Sequence, residues 1–209
     1  MIDHRFFDTN RLHLTREEAT IETEQKEPYL YTEDEVDLDR EERNIQIFTS
    51  LALLLSAALF AAGFYTIPGV VDFPIVLIDR IAFAIQAGVF VIIWVFIAVG
   101  MVSVGRRKSA ADVQGSAAGP PSPKLAIRVA FLQNTLEQAV LTVFAFLAFA
   151  VAIEGPGLSM IVVAVALFAI GRILFLMGYR KGASGRAFGM ALTMAPSIFG
   201  YPAAIILMF

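Results

Sequence analysis

The 209-residue chain contains no cysteine. It therefore forms no disulfide, binds no metal through a thiolate and has no cysteine nucleophile of its own. Any thiol chemistry must be brought in by a ligand. Histidine is also scarce, because His4 and His13 are the two that the chain has. Both lie far from any other set of metal ligands, so we predict no metal site.

Charged residues are few and unevenly distributed. They make up 17% of the chain, against 57% for hydrophobic residues. Residues 1–44 hold 14 acidic and 6 basic side chains, a net charge of −8, so the other residues carry +5 of the total of −3. We interpret residues 1–44 as an acidic, solvated tail and as a candidate surface for a protein partner. No nucleic-acid partner is expected.

Five long apolar blocks follow the acidic segment, over residues 45–67, 81–104, 125–153, 158–179 and 187–209. Each exceeds the roughly 20 residues that a helix needs to cross a bilayer. We therefore predict an all-α integral membrane protein with five spans. The segment before the first block contains no apolar run of signal-peptide length, so we expect this block to be a retained span.

The distribution of lysine and arginine between the blocks predicts the orientation. Basic residues cluster before the first block, in the loop 105–124 and in the short connection before the last block, whereas the other side receives only Arg80. Because basic loops stay on the cytoplasmic side, we place the N-terminus in the cytoplasm and the C-terminus across the membrane, the inner membrane if the host is bacterial. A four-span alternative, with residues 45–67 in the interface, would put Arg40 and Arg43 on the wrong side. The Gly-, Ser-, Ala- and Pro-rich loop 105–124 is predicted to be a flexible linker.

Two of the blocks contain polar side chains at positions expected inside the membrane. Asn134 and Glu137 are three residues apart and are predicted to share one helix face, while Arg172 and Tyr179 share a face of the next helix. Ionisable groups inside a span are costly and usually functional. We therefore predict a small polar pocket in which a Glu137–Arg172 ion pair buries both charges.

The residues alone leave three interpretations of this pocket open. In the first, the polar groups serve only to hold helices together by hydrogen bonds. In the second, they bind a ligand. An ion pathway is the third interpretation, although such a path normally needs several acids along one route, and the blocks contain few.

The stretches RVAFLQNTLE (residues 128–137) and GRILFLMGYRKGASGR (residues 171–186) together resemble the MAPEG superfamily. These are the membrane-associated proteins of eicosanoid and glutathione metabolism. The likeness covers about residues 81–209 and implies a four-helix membrane bundle. The block 45–67 would then be an extra N-terminal transmembrane helix added to that bundle.

The resemblance also implies a ligand and an assembly. Family members bind glutathione as co-substrate between the subunits of a homotrimer. Carried over to this chain, the glutathione-binding residues would be Asn134, Glu137, Arg172, Tyr179, Lys181 and Arg128. Arg186 and Ser184 would be the catalytic candidates that activate the thiol.

Two positions depart from the family pattern. Ala130 stands where family enzymes commonly place an arginine, and Phe175 stands where many have a tyrosine. Two functional hypotheses follow. The first is a glutathione-dependent transferase or peroxidase-like protein that acts on hydrophobic electrophiles or lipid peroxides. The alternative is a non-catalytic membrane subunit or scaffold that recruits a partner through its extra span and tail.

Overall fold

A computed structural model describes residues 37–209, and all regular structure in that part of the chain is helical. The five long helices are α1 (Leu38–Thr66), α2 (Leu77–Arg107), α3 (Pro123–Ala152), α4 (Ser159–Gly178) and α5 (Gly182–Met208). Each is long and apolar enough to cross a membrane. The prediction of an all-α fold with five spans is confirmed, and the protein is an integral membrane protein in contact with the bilayer. His4, His13 and most of the acidic tail lie outside the described residues.

Consecutive helices run in opposite directions and give the bundle two ends. At one end the start of α1 meets the start of α5, where Glu41 reaches Ser184. The loop 105–124 and the turn Tyr179–Lys181 also lie at this end. We call it the basic end, because both segments are rich in lysine and arginine. At the opposite end, the loop after α1 meets the turn after α3, and the backbone N–H of Gly155 donates to the carbonyl of Pro74 at 3.2 Å.

The first helix begins seven residues before the first apolar block. Asp37 caps it, because the Asp37 carboxylate accepts a hydrogen bond from the backbone N–H of Arg40 at 3.1 Å. Such a cap satisfies one of the free N–H groups of the first helical turn. Residues 38–44, assigned to the tail from the sequence, therefore form the first turns of α1.

A single carboxylate organises the loop that precedes α3. Asp112 accepts hydrogen bonds from the backbone N–H of Ser122 at 2.7 Å and from its hydroxyl at 2.6 Å. Hydrogen bonds from Ser109 and Ser122 also hold the pKa of the Asp112 carboxyl below its ordinary value. Pro123 then opens α3, where its fixed φ suits the first turn. The segment predicted to be a flexible linker is thus tied down at its end.

The last helix is the centre of the packing. α5 packs most extensively against α4 and also against α1 and α3, while α2 packs chiefly against α3. α3 and α4 follow each other in the chain but make few direct contacts. Polar groups that link α3 to α4 therefore matter for the spacing of these two helices.

Four glycines let α4 and α5 approach backbone to backbone. A Cβ at Gly171 would lie 2.8 Å from the carbonyl oxygen of Gly189, and one at Gly178 would collide with the carbonyl of Gly185. A Cβ at Gly189 would collide with the backbone nitrogen of Phe175. Small residues allow this close approach in membranes, where association depends on packing. We did not predict this glycine seam, which fixes the position of α5 beside the polar residues of α4.

Candidate functional site

The centre of the candidate site is a fully buried arginine. Arg172 lies on α4 with 0% of its surface exposed. Its Nη1 donates to Oδ1 of Asn134 on α3 at 2.8 Å and lies 3.4 Å from the hydroxyl of Thr135. Its Nη2 donates to the hydroxyl of Thr193 on α5. One guanidinium therefore connects three helices.

Aromatic rings cover the faces of this guanidinium. The Cζ of Arg172 lies 4.7 Å from the ring centroid of Phe175 and 5.6 Å from that of Phe168. A cation over a ring face is stabilised by the ring quadrupole, more strongly where water is excluded. Phe175, which was noted from the sequence as a phenylalanine in place of an expected tyrosine, therefore supports Arg172 with its ring.

The predicted Glu137–Arg172 ion pair is not formed within the chain, and that prediction was wrong. Glu137 is exposed, and its carboxylate accepts from Nε2 of Gln133 at 3.2 Å. A spacing of three residues leaves an offset of about 60° around a helix. That offset is enough to turn Asn134 toward α4 while Glu137 stays at the edge. Uncharged oxygens and ring faces surround Arg172 instead.

A second cation lies toward the basic end. Tyr179 follows α4 directly, and its ring centroid lies 5.2 Å from that of Phe175. The guanidinium of Arg186 on α5 lies 4.9 Å from the Tyr179 ring centroid. The Tyr179 phenol carries a hydroxyl that can donate a hydrogen bond. A line of aromatic rings thus connects Arg172 to Arg186.

The extra helix contributes a carboxylate to the start of α5. Glu41 accepts a hydrogen bond from the backbone N–H of Ser184 at 2.8 Å. Gly182 has a φ of +82°, and a Cβ there would lie 3.2 Å from Oε1 of Glu41. A helix N-terminus carries a partial positive charge that favours such a carboxylate. Glu41 was not singled out from the sequence, because it lies among many other acidic residues of the segment 1–44.

The remaining predicted residues are not among the hydrogen-bond partners of Arg172 in the described part of the chain. Lys181 is exposed in the turn between α4 and α5, and Glu137 is exposed on α3. Arg128 is half-buried and points to another helix, since its Nη1 donates to the carbonyl of Met101 on α2 at 3.2 Å. The structure therefore joins Asn134 directly to Arg172, and it uses Arg128 to join α2 and α3.

Two hydroxyls of the cluster were missed. Thr135 and Thr193 each donate to the carbonyl four residues earlier, those of Phe131 and Gly189, at 2.6 Å. Threonine commonly makes this bond in membrane helices, so neither residue differs in sequence from an ordinary packing threonine. The sequence offers one indication of their role, which is that Thr135 directly follows Asn134.

A family model described as MAPEG family matches residues 81–206, which is more than half of the chain. The match covers most of α2, all of α3 and α4, and nearly all of α5, with the candidate residues from Arg128 to Arg186, and it leaves out α1. No curated protein and no solved structure matches the chain.

Proposed function

This chain belongs to the MAPEG family, and on that premise we propose that it is a glutathione-dependent membrane protein of the transferase or peroxidase type. Its substrates would be hydrophobic electrophiles or lipid peroxides that reach it from the bilayer. The observation that carries the proposal is the hydrogen bond from Arg172 to Asn134. It joins two residues of the separate family stretches in one cluster, although their helices make few direct contacts.

The charges around the cluster suit an anionic peptide. Arg172, Lys181 and Arg186 are cationic, and glutathione carries two carboxylates that guanidinium groups bind well. Because Arg172 is fully buried, its role in the proposal is to orient the Asn134 amide and to supply a positive field. Arg186 and Lys181 are nearer the surface and would bind the carboxylates directly. Asn134 would bind the peptide backbone.

The same charges would activate the thiol. A nearby positive charge favours the thiolate and lowers the pKa of the glutathione cysteine, and the thiolate is the reactive nucleophile. In transfer, the thiolate sulfur forms a C–S bond as the leaving group departs from the electrophilic carbon, and the thiol proton passes to solvent. In peroxide reduction, two glutathione molecules are oxidised to the disulfide while the peroxide is reduced to an alcohol and water. Tyr179, Arg186 and Ser184 are the candidate donors to the thiolate.

The exposed edge of α3 supports a homotrimeric assembly. Glu137 lies about 21 Å along α3 from Pro123, and yet its side chain is exposed in the single chain. A carboxylate facing lipid at that depth is costly. A neighbouring subunit covering this edge would remove the cost and would complete the site, with Glu137 available for the α-amino group of glutathione. In this proposal the basic end and the N-terminus face the cytoplasm.

Calorimetry on the purified protein in detergent tests the proposal. We expect saturable binding of glutathione at millimolar concentration, and we expect Asn134→Ala to remove it. Leu136→Ala, an exposed neighbour on the same helix, is the matched control and should bind like the wild type. Absence of saturable binding in the wild-type protein would exclude the glutathione site.

A non-catalytic membrane subunit is the second candidate. Two observations favour it. The extra helix contacts a catalytic candidate, because Glu41 accepts a hydrogen bond from the backbone N–H of Ser184. In addition, Phe175 lacks the hydroxyl common in family enzymes. The tail 1–44 would then recruit a protein partner. Purification in mild detergent separates the two candidates, since a homotrimer with turnover supports the enzyme, and a stable heteromeric complex without turnover supports the subunit.

A further inference from the structure

An apolar groove lies between the extra helix and the family bundle, toward the opposite end. Its volume is about 380 Å³, and four helices line it. α1 contributes Phe60 and Ala61, α3 contributes Phe149, and α5 contributes Phe199. This volume lies within the range of about 300–1,000 Å³ that is typical of small-molecule sites.

The groove forms where short side chains meet. Ala61 of α1, Ala145 of α3, Ala164 of α4 and Gly200 of α5 all line it, and none of them is long enough to fill the space between the helices. α3 and α4 also make few direct contacts with each other. The space is therefore built into the packing of α1 on the bundle, and the rings of larger residues form its walls.

The lining and the depth of the groove determine what can fill it. Every lining residue is apolar, so a polar ligand would lose its hydrogen bonds to water without replacement. An apolar cavity stays dry and accepts apolar guests. Along the helices, Ala61 and Phe149 lie about 5–8 Å from the ends of α1 and α3, at the depth of lipid chains. We propose that this groove binds one acyl chain of a membrane phospholipid.

This lipid site is separate from the candidate glutathione site and does not depend on it. Along α4, Arg172 lies about 12 Å from Ala164, and along α3, Asn134 lies about 16 Å from Ala145. One wall comes from α1, which lies outside the family match. The acyl chain would complete the packing of α1 on the bundle near the opposite end. At the basic end, the same helix is held by the hydrogen bond between Glu41 and the backbone N–H of Ser184.

Quenching by brominated lipid tests for the chain in the groove. The protein has one tryptophan, so a Trp94→Phe background lets a single probe be placed by Phe149→Trp. Phe149 lines the groove and is 6% exposed. In vesicles of phosphatidylcholine with brominated oleoyl chains, we expect strong quenching of this probe. Phe168→Trp is the control, because Phe168 is 0% exposed and does not line the groove, and its fluorescence should persist.

Filling the groove should remove the signal. We expect Ala61→Phe to reduce quenching of the Phe149→Trp probe to the level of the Phe168→Trp control. Ala58→Phe, on the same helix but outside the lining, should leave it unchanged. Native mass spectrometry without the probe should find one retained phospholipid per wild-type and Ala58→Phe chain and none for Ala61→Phe, which decides the matter if Phe149→Trp does not fold.

Two results would overturn the proposal. One is equal quenching of the Phe149→Trp and Phe168→Trp probes, together with equal lipid retention by the Ala61→Phe and Ala58→Phe variants. The other is a change of oligomeric state in Ala61→Phe with lipid retention unaltered. That result would show that a second copy of the chain covers the groove. Loss of glutathione binding would not bear on the lipid site, so the two proposals fail separately.

Discussion

Arg172 and Asn134 link two helices that otherwise touch little, since Nη1 of Arg172 on α4 donates to Oδ1 of Asn134 on α3 at 2.8 Å. The same guanidinium bonds Thr193 on α5 and lies over the ring of Phe175. The link therefore both positions the amide of Asn134 and sets the spacing of three helices. A substitution at Arg172 should affect stability and ligand binding together.

Arg172→Lys should lower both properties. A lysine ammonium cannot reach Asn134 and Thr193 at once or lie flat on Phe175. The buried groups left unpaired should cost about 1–3 kcal/mol of unfolding free energy, measured as thermal unfolding followed by the fluorescence of Trp94. Glutathione affinity, measured by calorimetry, should fall as well. Arg186→Lys is the control for stability and should unfold like the wild type, and equal stability of both variants would contradict the role given to Arg172.

Glu137→Gln should separate binding from folding. Glu137 is exposed and, among the described residues, its side chain bonds only Gln133, so Glu137→Gln should not lower the stability of the chain. Glutathione binding should weaken, because the neutral amide cannot pair with the α-amino group. Calorimetry alongside thermal unfolding measures the two effects. Unchanged affinity would remove Glu137 from the proposed site.

Glu41→Ala should loosen the start of α5. The Ser184 N–H would lose its acceptor, as in the loss of a helix cap. Such a loss lowers the free energy of unfolding by about 0.5–2 kcal/mol. Hydrogen exchange should become faster at residues 182–186. Glu42→Ala is the matched control, because Glu42 is an exposed neighbour that, within residues 37–209, bonds only Gln46 of its own helix. Equal protection of residues 182–186 in the two variants would argue against docking of α1 through Glu41.

Gly189→Ala should destabilise the α4–α5 pair. The added Cβ would collide with the backbone nitrogen of Phe175, and overpacking of this kind costs about 1–3 kcal/mol. At Gly100 a Cβ would meet nothing within 4 Å, so Gly100→Ala should be as stable as the wild type or slightly more so. Thermal unfolding of both variants provides the comparison. A Gly189→Ala variant as stable as Gly100→Ala would show that the seam is not close-packed.

The loop before α3 should respond to acid. Because the pKa of Asp112 is lower in the folded chain than its ordinary value of 3.8, its contribution to stability is present above that value and is lost as pH falls through the folded pKa. Hydrogen exchange at residues 109–122, corrected for intrinsic rates, should accelerate over this acidic range. Asp112→Asn should lack the transition, and an identical acid response in both proteins would exclude Asp112 as its source.

The sequence predicted the spans well because long apolar blocks are a local property. It predicted their ends less well, since α1 extends back to Leu38 through charged residues that Asp37 caps. The contact of Glu41 with Ser184 joins positions 143 residues apart. No local pattern distinguishes Glu41 from the acidic residues around it.

The candidate site was predicted in part. The helix-face spacing predicted one polar pocket that contains Asn134 and Arg172, and these two side chains do form a hydrogen bond. The predicted ion pair between Glu137 and Arg172 was wrong. Two residues that share a helix face can still differ by about 60° in direction, so the spacing alone does not decide which side chain meets a neighbouring helix. The glycine seam was missed for a related reason, because it depends on how α4 and α5 face each other, and each helix contributes two glycines to it.

The pH titration of bound glutathione tests the central claim most directly. Because the chain has no cysteine, the thiolate absorbance that appears on adding glutathione belongs to the ligand alone. We predict that the bound thiol titrates roughly one unit or more below the ordinary thiol pKa of about 8.5, and that Asn134→Ala abolishes the shift. A thiol that titrates at its ordinary pKa in the presence of saturating wild-type protein would contradict the account.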